Sequence, residues 1–421
     1  MSEMKICLLR PPALPAYQDT DIKEDPMLTS LLGYLYAVGI KKNNISVYDY
    51  QIDRTLVYDD LIAIPCDHYV IVARDLGESY RYSTRISEKL SKDTRAQIWL
   101  YGQIAPLRFL KSLPERVTLI NQDEKELAKA LGIKSNGPDF TKDLQYYSYF
   151  EYLNLDEWQK NRRKGAIETT RGCPYKCKFC FISAGKNYAK RWQVRPIDTI
   201  MQDLKTYIAD GIHSFVFLDS EFLGANTAYH AQKEWFLHRI IQELPKIEYM
   251  ILCRADTLLL FNKFDLLKQS GLKKVLVGVE SLYQADLNAL KKDSTVEKMM
   301  EAITQLIERE IECCLTFLTF HRNTTLQGLR ENLNNIQKLY SHPKARYLGM
   351  PNFSFNMEVV RGEFSQEDMQ DLSNVTYIKP LLEARTQPNT KACFPVFLEP
   401  LIEIYRLLQY EWVVKKCDLI H

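Results

Sequence analysis

The stretch Glu168-Thr-Thr-Arg-Gly-Cys173-Pro-Tyr-Lys-Cys177-Lys-Phe-Cys180 decides how the rest of the chain is interpreted. Its three cysteines have C-x3-C-x2-C spacing and follow a short run, Gly165 to Thr170, that is typical of the end of a strand. Thiolates this close in sequence can converge on one soft metal centre, and Gly172 and Pro174 allow the backbone to fold tightly around it.

The number of cysteines in this stretch favours an iron–sulfur cluster over zinc. A structural zinc site needs a fourth protein ligand, and no nearby His or Cys supplies one. A four-iron four-sulfur (4Fe–4S) cluster held by three thiolates keeps one iron open for a substrate or cofactor. The alternative is three buried structural cysteines, against which Lys176 and Lys178 between the thiols argue. We therefore predict that the metal ligands are Cys173, Cys177 and Cys180.

The segment Arg171-Gly-Cys-Pro-Tyr-x-Cys-x-Phe-Cys180 resembles the signature of radical S-adenosylmethionine (SAM) enzymes. In that family the open iron chelates the amino and carboxylate groups of SAM. Electron transfer from the cluster then cleaves the sulfonium to methionine and a 5′-deoxyadenosyl radical. The resemblance implies an enzyme with a 4Fe–4S cluster and SAM as cofactors, and with an electron donor such as flavodoxin or ferredoxin as partner.

Composition is ordinary for a soluble globular protein, with 46% apolar and 26% charged residues among 421. This length allows two or three domains. The net charge of +2 gives no electrostatic sign of a nucleic-acid or membrane partner. No apolar run approaches the ~20 residues that span a bilayer, and the N-terminus lacks a signal-peptide pattern. Ten cysteines without regular pairing predict a cytoplasmic, reduced protein.

Residues 1–137 are predicted to form a doubly wound, mostly parallel α/β sheet of the Rossmann-like kind. Short apolar runs alternate there with helical patterns, as a parallel sheet covered on both faces requires. Ligands of such sheets lie beyond the carboxyl ends of the strands. The predicted ligand contacts are Arg10, Ala73, Tyr101 and Gly102.

This first third resembles the cobalamin-binding domain that precedes the radical module in one subclass of the family. Its helix from Pro26 is similar to the proline-led helix of that subclass, but the matches at Tyr101-Gly-Gln-Ile-Ala105 and Asn121-Gln-Asp-Glu-Lys-Glu126 are degraded. The Asp-x-His-x-x-Gly motif that supplies the lower ligand of cobalt is missing. Two alternatives stay open: cobalamin held without a protein ligand to cobalt, or a scaffold that binds no cobalamin.

From residue 165 a second alternation of strands and helices predicts a partial (β/α)6 TIM-type barrel that extends to residue 360. Residues 138–164 are predicted to connect the two domains, and residues 361–421 to form a helical C-terminal region. In such a barrel, chemistry belongs at the carboxyl ends of the strands. The polar residues predicted at those ends are Asp219, Glu221, Arg254, Glu280 and Ser281.

The family resemblance implies cofactor contacts for these residues. Asp219 and Glu221 would contact the methionyl amine of SAM, and Arg254 with Glu280 and Ser281 would contact its carboxylate and ribose. Phe179 would lie against the adenine.

His321 follows the fifth predicted barrel strand, where many relatives have a Gly-Leu-Pro-Gly-Glu-Thr-like turn. If it faces the cavity, it is a candidate acid/base catalyst or substrate anchor. A solvated loop histidine is the alternative.

These patterns predict a radical SAM enzyme that functionalises an unactivated carbon of a small-molecule or natural-product substrate. Cobalamin-dependent C-methylation is the leading reaction. The first alternative is rearrangement, ring formation or another C–H functionalisation with a vestigial first domain. The second is a non-catalytic cobalamin or iron–sulfur sensor, against which the cysteine triad together with Asp219, Arg254 and Glu280 argues.

Overall fold

The structure is a computed structural model that describes residues 4–12, 22–53, 55–63, 65–73, 78–102, 113–134, 136–177, 179–180, 192–320, 325–349 and 352–355. Two sequence predictions lie outside these residues, namely the placement of His321 and the C-terminal helical region 361–421. No helix in the described part combines the length and the apolar character that a bilayer-spanning segment needs.

The described strands and helices alternate along most of the chain. The strands are β1 (Ile6–Arg10), β2 (Ile22–Lys23), β3 (Ile45–Asp49), β4 (His68–Val72), β5 (Gln97–Gly102), β6 (Val117–Asn121), β7 (Arg163–Ile167), β8 (Thr170–Arg171), β9 (Gln193–Val194), β10 (Ser214–Phe217), β11 (Glu248–Arg254), β12 (Leu272–Glu280), β13 (Glu312–Phe320) and β14 (Asn352–Phe355). The helices are α1 (Pro26–Ala37), α2 (Tyr58–Ala63), α3 (Glu78–Asp93), α4 (Glu124–Ala130), α5 (Glu157–Lys160), α6 (Ile197–Ala209), α7 (Thr227–Glu243), α8 (Ala255–Phe261), α9 (Phe264–Gln269), α10 (Gln284–Ala289), α11 (Val296–Glu308) and α12 (Leu326–Tyr340).

The first unit is a five-stranded sheet in the order β3-β1-β4-β5-β6, and all of its strand pairs are parallel. Residues 6–9 of the inner strand β1 are fully buried, as expected for a strand covered on both faces. The strand order reverses between β1 and β4, and such a switch point is where doubly wound sheets bind ligands. The predicted doubly wound sheet is confirmed.

The second sheet has seven strands in the order β14-β13-β12-β11-β10-β7-β2, and every pair is parallel. Six of these strands form the partial barrel that the sequence predicts, namely β7, β10, β11, β12, β13 and β14. The seventh, β2, comes from the N-terminal part of the chain and pairs Ile22 with Arg163 and Lys23 with Lys164. This pairing, which the sequence analysis did not anticipate, joins the two units through a shared sheet.

Helix α1 is packed directly against the connector. Its N-cap residue is Asp25, whose carboxylate accepts a hydrogen bond from the Met27 amide at 2.8 Å. A Cβ added to Gly33 would lie 1.9 Å from the Gln145 carbonyl oxygen, so only glycine allows this approach. The residues from Pro26 to Leu35 are all buried. The connector therefore crosses the helix at backbone contact distance.

A buried ion pair joins the first unit to the start of the barrel. The two Nη atoms of Arg171 donate to the two carboxylate oxygens of Glu124 at 2.8 and 2.7 Å, and its Nε donates to Glu168 at 3.0 Å. The Arg171 and Glu124 side chains are only 5% and 6% exposed. Tyr146 of the connector donates its hydroxyl hydrogen to Glu168 at 2.7 Å. Because Arg171 lies two residues before Cys173, this network fixes the cysteine loop to both the first unit and the connector.

A second buried pair fastens the connector to the barrel. Arg195, which is 1% exposed, donates to Asp203 at 2.6 Å and to the Leu144 carbonyl at 2.7 Å. Its other Nη donates to the backbone carbonyl of Glu168 at 3.0 Å. Charges buried this deeply are tolerated only when they are paired and hydrogen-bonded, as both arginines are.

We predict that Glu124→Gln lowers the free energy of unfolding by about 1.5–3 kcal/mol, because the variant removes one of the two carboxylates that neutralise the buried Arg171 cation. The measurement is denaturant unfolding of the full chain. Glu157→Gln is the matched control, since Glu157 is 82% exposed and its pair with Lys160 lies in solvent. An unchanged unfolding free energy in Glu124→Gln would show that the pair does not hold the two units together.

Candidate functional site

The three predicted ligand cysteines lie on a loop at the carboxyl end of the first barrel strand. Strand β7 ends at Ile167, and the two-residue strands β8 and β9 then form an antiparallel pair. Gly172 has φ of 77°, a left-handed conformation that turns the chain into Cys173. All three cysteines are half-buried, and burial raises the pKa of the Cys173 thiol to about 12.

This donor set fits an iron–sulfur cluster better than a single metal ion. Within the described ranges, no three Cys, His, Asp or Glu side chains converge closely enough to hold one ion. A cluster spreads its thiolate ligands over separate irons, so it requires three thiols on one loop rather than three that meet at a point. Cys173, Cys177 and Cys180 meet that requirement.

An apolar shell lies against two of these thiols. Phe179, which is 9% exposed, packs with Leu290 and Leu318, and Cys177 and Cys180 pack against the same group. The apolar surroundings of a metal site control its contact with solvent and therefore its redox potential. Phe179 therefore belongs to the apolar group beside the cysteines, and its contact with the adenine of SAM stays a prediction.

Arg254, at the end of β11, is the predicted cofactor residue that reaches the cysteine loop most directly. Its Nη1 lies 3.2 Å from the Cys177 sulfur, and its guanidinium stacks 4.1 Å from the Tyr175 ring centroid. Its Nε and Nη2 also pair with the two carboxylate oxygens of Asp256 at 2.9 and 2.7 Å. The cation is therefore held in place beside a cluster ligand.

Asp219, at the end of strand β10, supports the backbone just before the cysteines. It is fully buried and accepts hydrogen bonds from the amide and hydroxyl of Thr169, both at 2.7 Å, and from the same groups of Thr170. Lys233, also buried, bonds the Thr169 hydroxyl and lies 3.7 Å from the Phe222 ring centroid. These bonds give Asp219 a structural role, and a direct contact with the amine of SAM stays a prediction.

Glu221, two residues after Asp219, performs a similar task for the end of strand β11. Its carboxylate accepts hydrogen bonds from the Arg254 amide at 2.8 Å and from the Cys253 thiol at 3.0 Å. Burial raises the pKa of this carboxyl to about 7. Glu221 therefore positions the residue that touches the cysteine loop, whereas its own predicted contact with SAM stays untested.

Glu280 and Ser281 end strand β12 at the same rim. Ser281 is buried and its hydroxyl bonds Asp286 at 2.9 Å, so it shapes the turn that follows the strand. Glu280 accepts a hydrogen bond from the ammonium of Lys292 at 2.8 Å. Sequence reasoning missed Lys292 because it follows a helix rather than a strand, and no local pattern marks it as buried.

The ligand contacts predicted in the first unit occupy the carboxyl edge of its sheet but are mostly bonded to one another or to neighbouring strands. Arg10 donates to Asp49 at 3.1 Å and to the Lys23 carbonyl at 2.9 Å, which anchors strand β2. A Cβ on Gly102 would lie 2.4 Å from the Ala73 carbonyl oxygen, so these two residues are packed together.

Tyr101 differs from its neighbours at this edge. It is fully buried, and within the described structure its hydroxyl has no hydrogen-bond partner. Buried polar groups are normally satisfied, so an orphaned hydroxyl at the predicted ligand edge is consistent with a polar group supplied from outside the chain. Of the four predicted contacts, Tyr101 gives the best support for a ligand here.

Comparison with known proteins identifies the module that holds the cysteine loop. Residues 167–336 match the family model described as the Radical SAM superfamily. The hopanoid C-3 methylase of Methylococcus capsulatus is 28% identical over 212 residues, which cover 48% of this chain and 38% of the methylase. An uncharacterized methyltransferase of Pyrococcus horikoshii is 29% identical over 195 residues, 45% of this chain and 40% of its own.

A third relative is named for a different reaction, a cyclisation. The anaerobic magnesium-protoporphyrin IX monomethyl ester cyclase of Synechocystis is 23% identical over 277 residues, covering 61% of this chain and 52% of the cyclase. The matches thus span from 38% to 52% of the lengths of these three relatives.

Two solved structures share the fold of both units. The cobalamin-dependent SAM radical enzyme OxsB superimposes with a TM-score of 0.59 at 16% identity, over 88% of this chain and 56% of that one. The radical SAM methyltransferase TsrM of Kitasatospora setae gives a TM-score of 0.59 at 17% identity, over 80% of this chain and 70% of that one. A radical SAM domain implies a 4Fe–4S cluster and SAM as cofactors. Residues 167–336 of this chain therefore form a radical SAM domain.

Proposed function

We propose that this enzyme uses a 5′-deoxyadenosyl radical to functionalise an unactivated carbon of a small molecule, with cobalamin-dependent C-methylation as its reaction. The observation that carries the proposal is the position of Arg254. Its guanidinium lies 3.2 Å from the sulfur of Cys177, so a cation suited to the carboxylate of SAM lies next to a cluster ligand.

The chain's own residues would bind the cofactors and keep water away from them. The cluster supplies the electron that cleaves SAM, and Cys173, Cys177 and Cys180 would hold it. Arg254 would pair with the carboxylate, and Phe179 would lie against the adenine. The apolar side chains around Cys177 and Cys180 limit the access of water, which protects a reactive radical. An external donor such as a flavodoxin or ferredoxin would supply the electron to the cluster.

Methylation requires a second cofactor near the first, and the arrangement of the two units supports this. Strand β6 of the first sheet ends at Asn121, and Glu124 three residues later pairs with Arg171 beside the cysteine loop. The carboxyl edge of the first sheet therefore adjoins the rim of the barrel. The names of the methylase and methyltransferase relatives, and the fold shared with OxsB and TsrM, support cobalamin at this edge.

Ring formation is the second candidate, and two observations favour it. One relative is named as a cyclase rather than a methyltransferase. In addition, Arg10, Ala73 and Gly102 are occupied by contacts within the first unit, as a scaffold that binds no cobalamin would allow.

We predict that replacing all three ligand cysteines by alanine abolishes both the iron–sulfur absorbance and the formation of 5′-deoxyadenosine from SAM. The protein is reconstituted anaerobically with iron and sulfide and reduced with dithionite before the assay. Cys314→Ala is the control, because this half-buried thiol of β13 lies outside the loop. Retention of about four irons per chain in the triple variant would contradict the assignment.

We predict that cobalamin, added as hydroxocobalamin and reduced, binds without a protein nitrogen on cobalt, because the sequence lacks the Asp-x-His-x-x-Gly motif. Electron paramagnetic resonance of the cob(II)alamin form should then show no nitrogen superhyperfine splitting. His68 is an unsuitable ligand, since it begins strand β4 whereas the ligand edge lies at the strand's other end. Nitrogen splitting would contradict the absence of a ligand, and failure to bind cobalamin would favour ring formation over methylation.

A further inference from the structure

A cavity of about 500 Å³ lies between the beginnings of helices α6 and α7. Its lining includes no residue of the six barrel strands, so the cavity lies outside the barrel. Three aromatic residues form much of its wall, namely Trp192, Tyr229 and Trp235. None of the residues that line it belongs to the predicted contacts with the cluster, SAM or cobalamin.

Three buried hydrogen-bond donors of this wall have no partner within the described structure. They are the indole N–H of Trp192, the hydroxyl of Tyr229 and Nε of Arg195. The Tyr229 and Arg195 residues are only 5% and 1% exposed. The described residues contain eight such unpartnered side-chain atoms, and three of the eight belong to this one cavity. Because buried polar groups are normally hydrogen-bonded, this concentration of donors indicates a ligand that accepts hydrogen bonds.

Two helix N-termini add further donors to the cavity. Helix α6 follows Pro196 and helix α7 follows Asn226, and both of these residues line the cavity. The first amides of a helix have no partner within it and carry a partial positive charge. Pro196 offers no side-chain acceptor to these amides, and Asn226 accepts only from the Tyr229 amide, at 2.8 Å. The backbone around the cavity therefore also favours an anion.

A narrow cleft continues inward from this cavity and ends at a buried cation. Cavity and cleft share Arg195 and Tyr229, and the cleft reaches Thr169 and Lys233. Lys233 is 3% exposed and donates to the Thr169 hydroxyl, which also lies near the Tyr229 hydroxyl and donates to Asp219. Among the described residues, no carboxylate lies within ion-pair distance of the Lys233 ammonium, and Asp219 acts on it only from farther away. The inner end of the cleft is thus positively charged.

We propose that this cavity is a binding site for a small molecule that joins an oxyanion, either a carboxylate or a phosphate, to a planar ring. The unpartnered donors of Trp192, Tyr229 and Arg195 and the two helix N-termini would bind the oxyanion, since such a group accepts several hydrogen bonds at once. The aromatic wall would pack against the planar ring. The volume of the cavity lies within the range of small-molecule sites. The inference does not rest on the proposed function, because the two sites share no residue.

The test begins with the dissociation constants of three probes, measured by calorimetry on the anaerobically reconstituted full chain. Phenyl phosphate and benzoate carry both a ring and an oxyanion, whereas benzyl alcohol carries the ring alone. We expect at least one of the two anions to bind about 10-fold or more tightly than benzyl alcohol, because hydrogen bonds to a charged acceptor are the stronger ones. The tighter anion then identifies the preferred oxyanion. A smaller preference, or no binding of either anion at millimolar concentrations, would overturn the inference.

A pair of hydroxyl deletions tests whether the unpartnered donors bind the anion. Tyr229→Phe keeps the ring and removes only a hydroxyl that has no partner, so the fold should tolerate it. The tighter anion should nevertheless bind this variant about 10-fold more weakly. Tyr207→Phe is the matched control, because its buried hydroxyl is also unpartnered within the described structure but Tyr207 does not line the cavity.

A second pair of variants locates the bound anion. Ala228 is exposed in the first turn of α7 and lines the cavity, so Ala228→Trp should fill the cavity and abolish binding. Ala231→Trp is the control, since Ala231 is exposed on the same helix but does not line the cavity. Wild-type affinity in Ala228→Trp or in Tyr229→Phe would show that the anion binds elsewhere and would overturn the inference.

Discussion

The contact between Arg171 and Glu124 is the constraint on which the rest of the structure depends. The arginine belongs to the cysteine loop of the barrel, and the glutamate opens the last helix described in the first unit. Two charges removed from water are favourable only in good geometry, which here consists of two parallel hydrogen bonds of 2.7 and 2.8 Å. Because the pair must form for either charge to be buried, it fixes where the cysteine loop lies relative to the first sheet.

Charge is distributed unevenly over the rim of the barrel. Asp219 and Glu221 are fully buried and bond backbone groups of neighbouring strand ends, so they fix the loops. Arg254 lies 3.2 Å from the Cys177 sulfur, and the side chain of Glu280 at the end of β12 keeps 12% exposure. The rim therefore contains an inner layer that holds the backbone and an outer layer that can meet a cofactor. Such support for contacting residues is what precise binding requires.

The sequence predicted the parts of this structure that depend on local patterns. Buried strands are short apolar runs, and the carboxyl ends of parallel strands must share one rim, so the approach of Arg254 to Cys177 could be expected. The pairing of Ile22 with Arg163 could not, because it joins residues far apart in the chain and involves only two residues of strand. Lys292 was missed for a related reason, since its burial arises from a helix end and a partner twelve residues away.

The sequence patterns indicate where single residues lie better than they indicate which role each residue has. Arg10 lies at the expected edge of the first sheet, yet its guanidinium is bonded to Asp49 and to the backbone of strand β2. A sequence pattern places a charge at a strand end but cannot show which neighbour from another strand neutralises it. Tyr101 is the opposite case, because it lies in a run of apolar residues and yet its buried hydroxyl has no hydrogen-bond partner within the described structure.

The central claim of this account, that the first unit holds the cysteine loop in place, is tested most directly by hydrogen exchange. The measurement compares backbone amides of residues 168–177 in the wild type, in Glu124→Gln and in the control Glu157→Gln under conditions where all three are folded. The account predicts that Glu124→Gln speeds exchange in this segment by at least about tenfold. In this variant the ion pair is already lost, so opening the segment costs less free energy. Exchange at the wild-type rate in Glu124→Gln would show that the loop is held by the barrel alone and would contradict the claim.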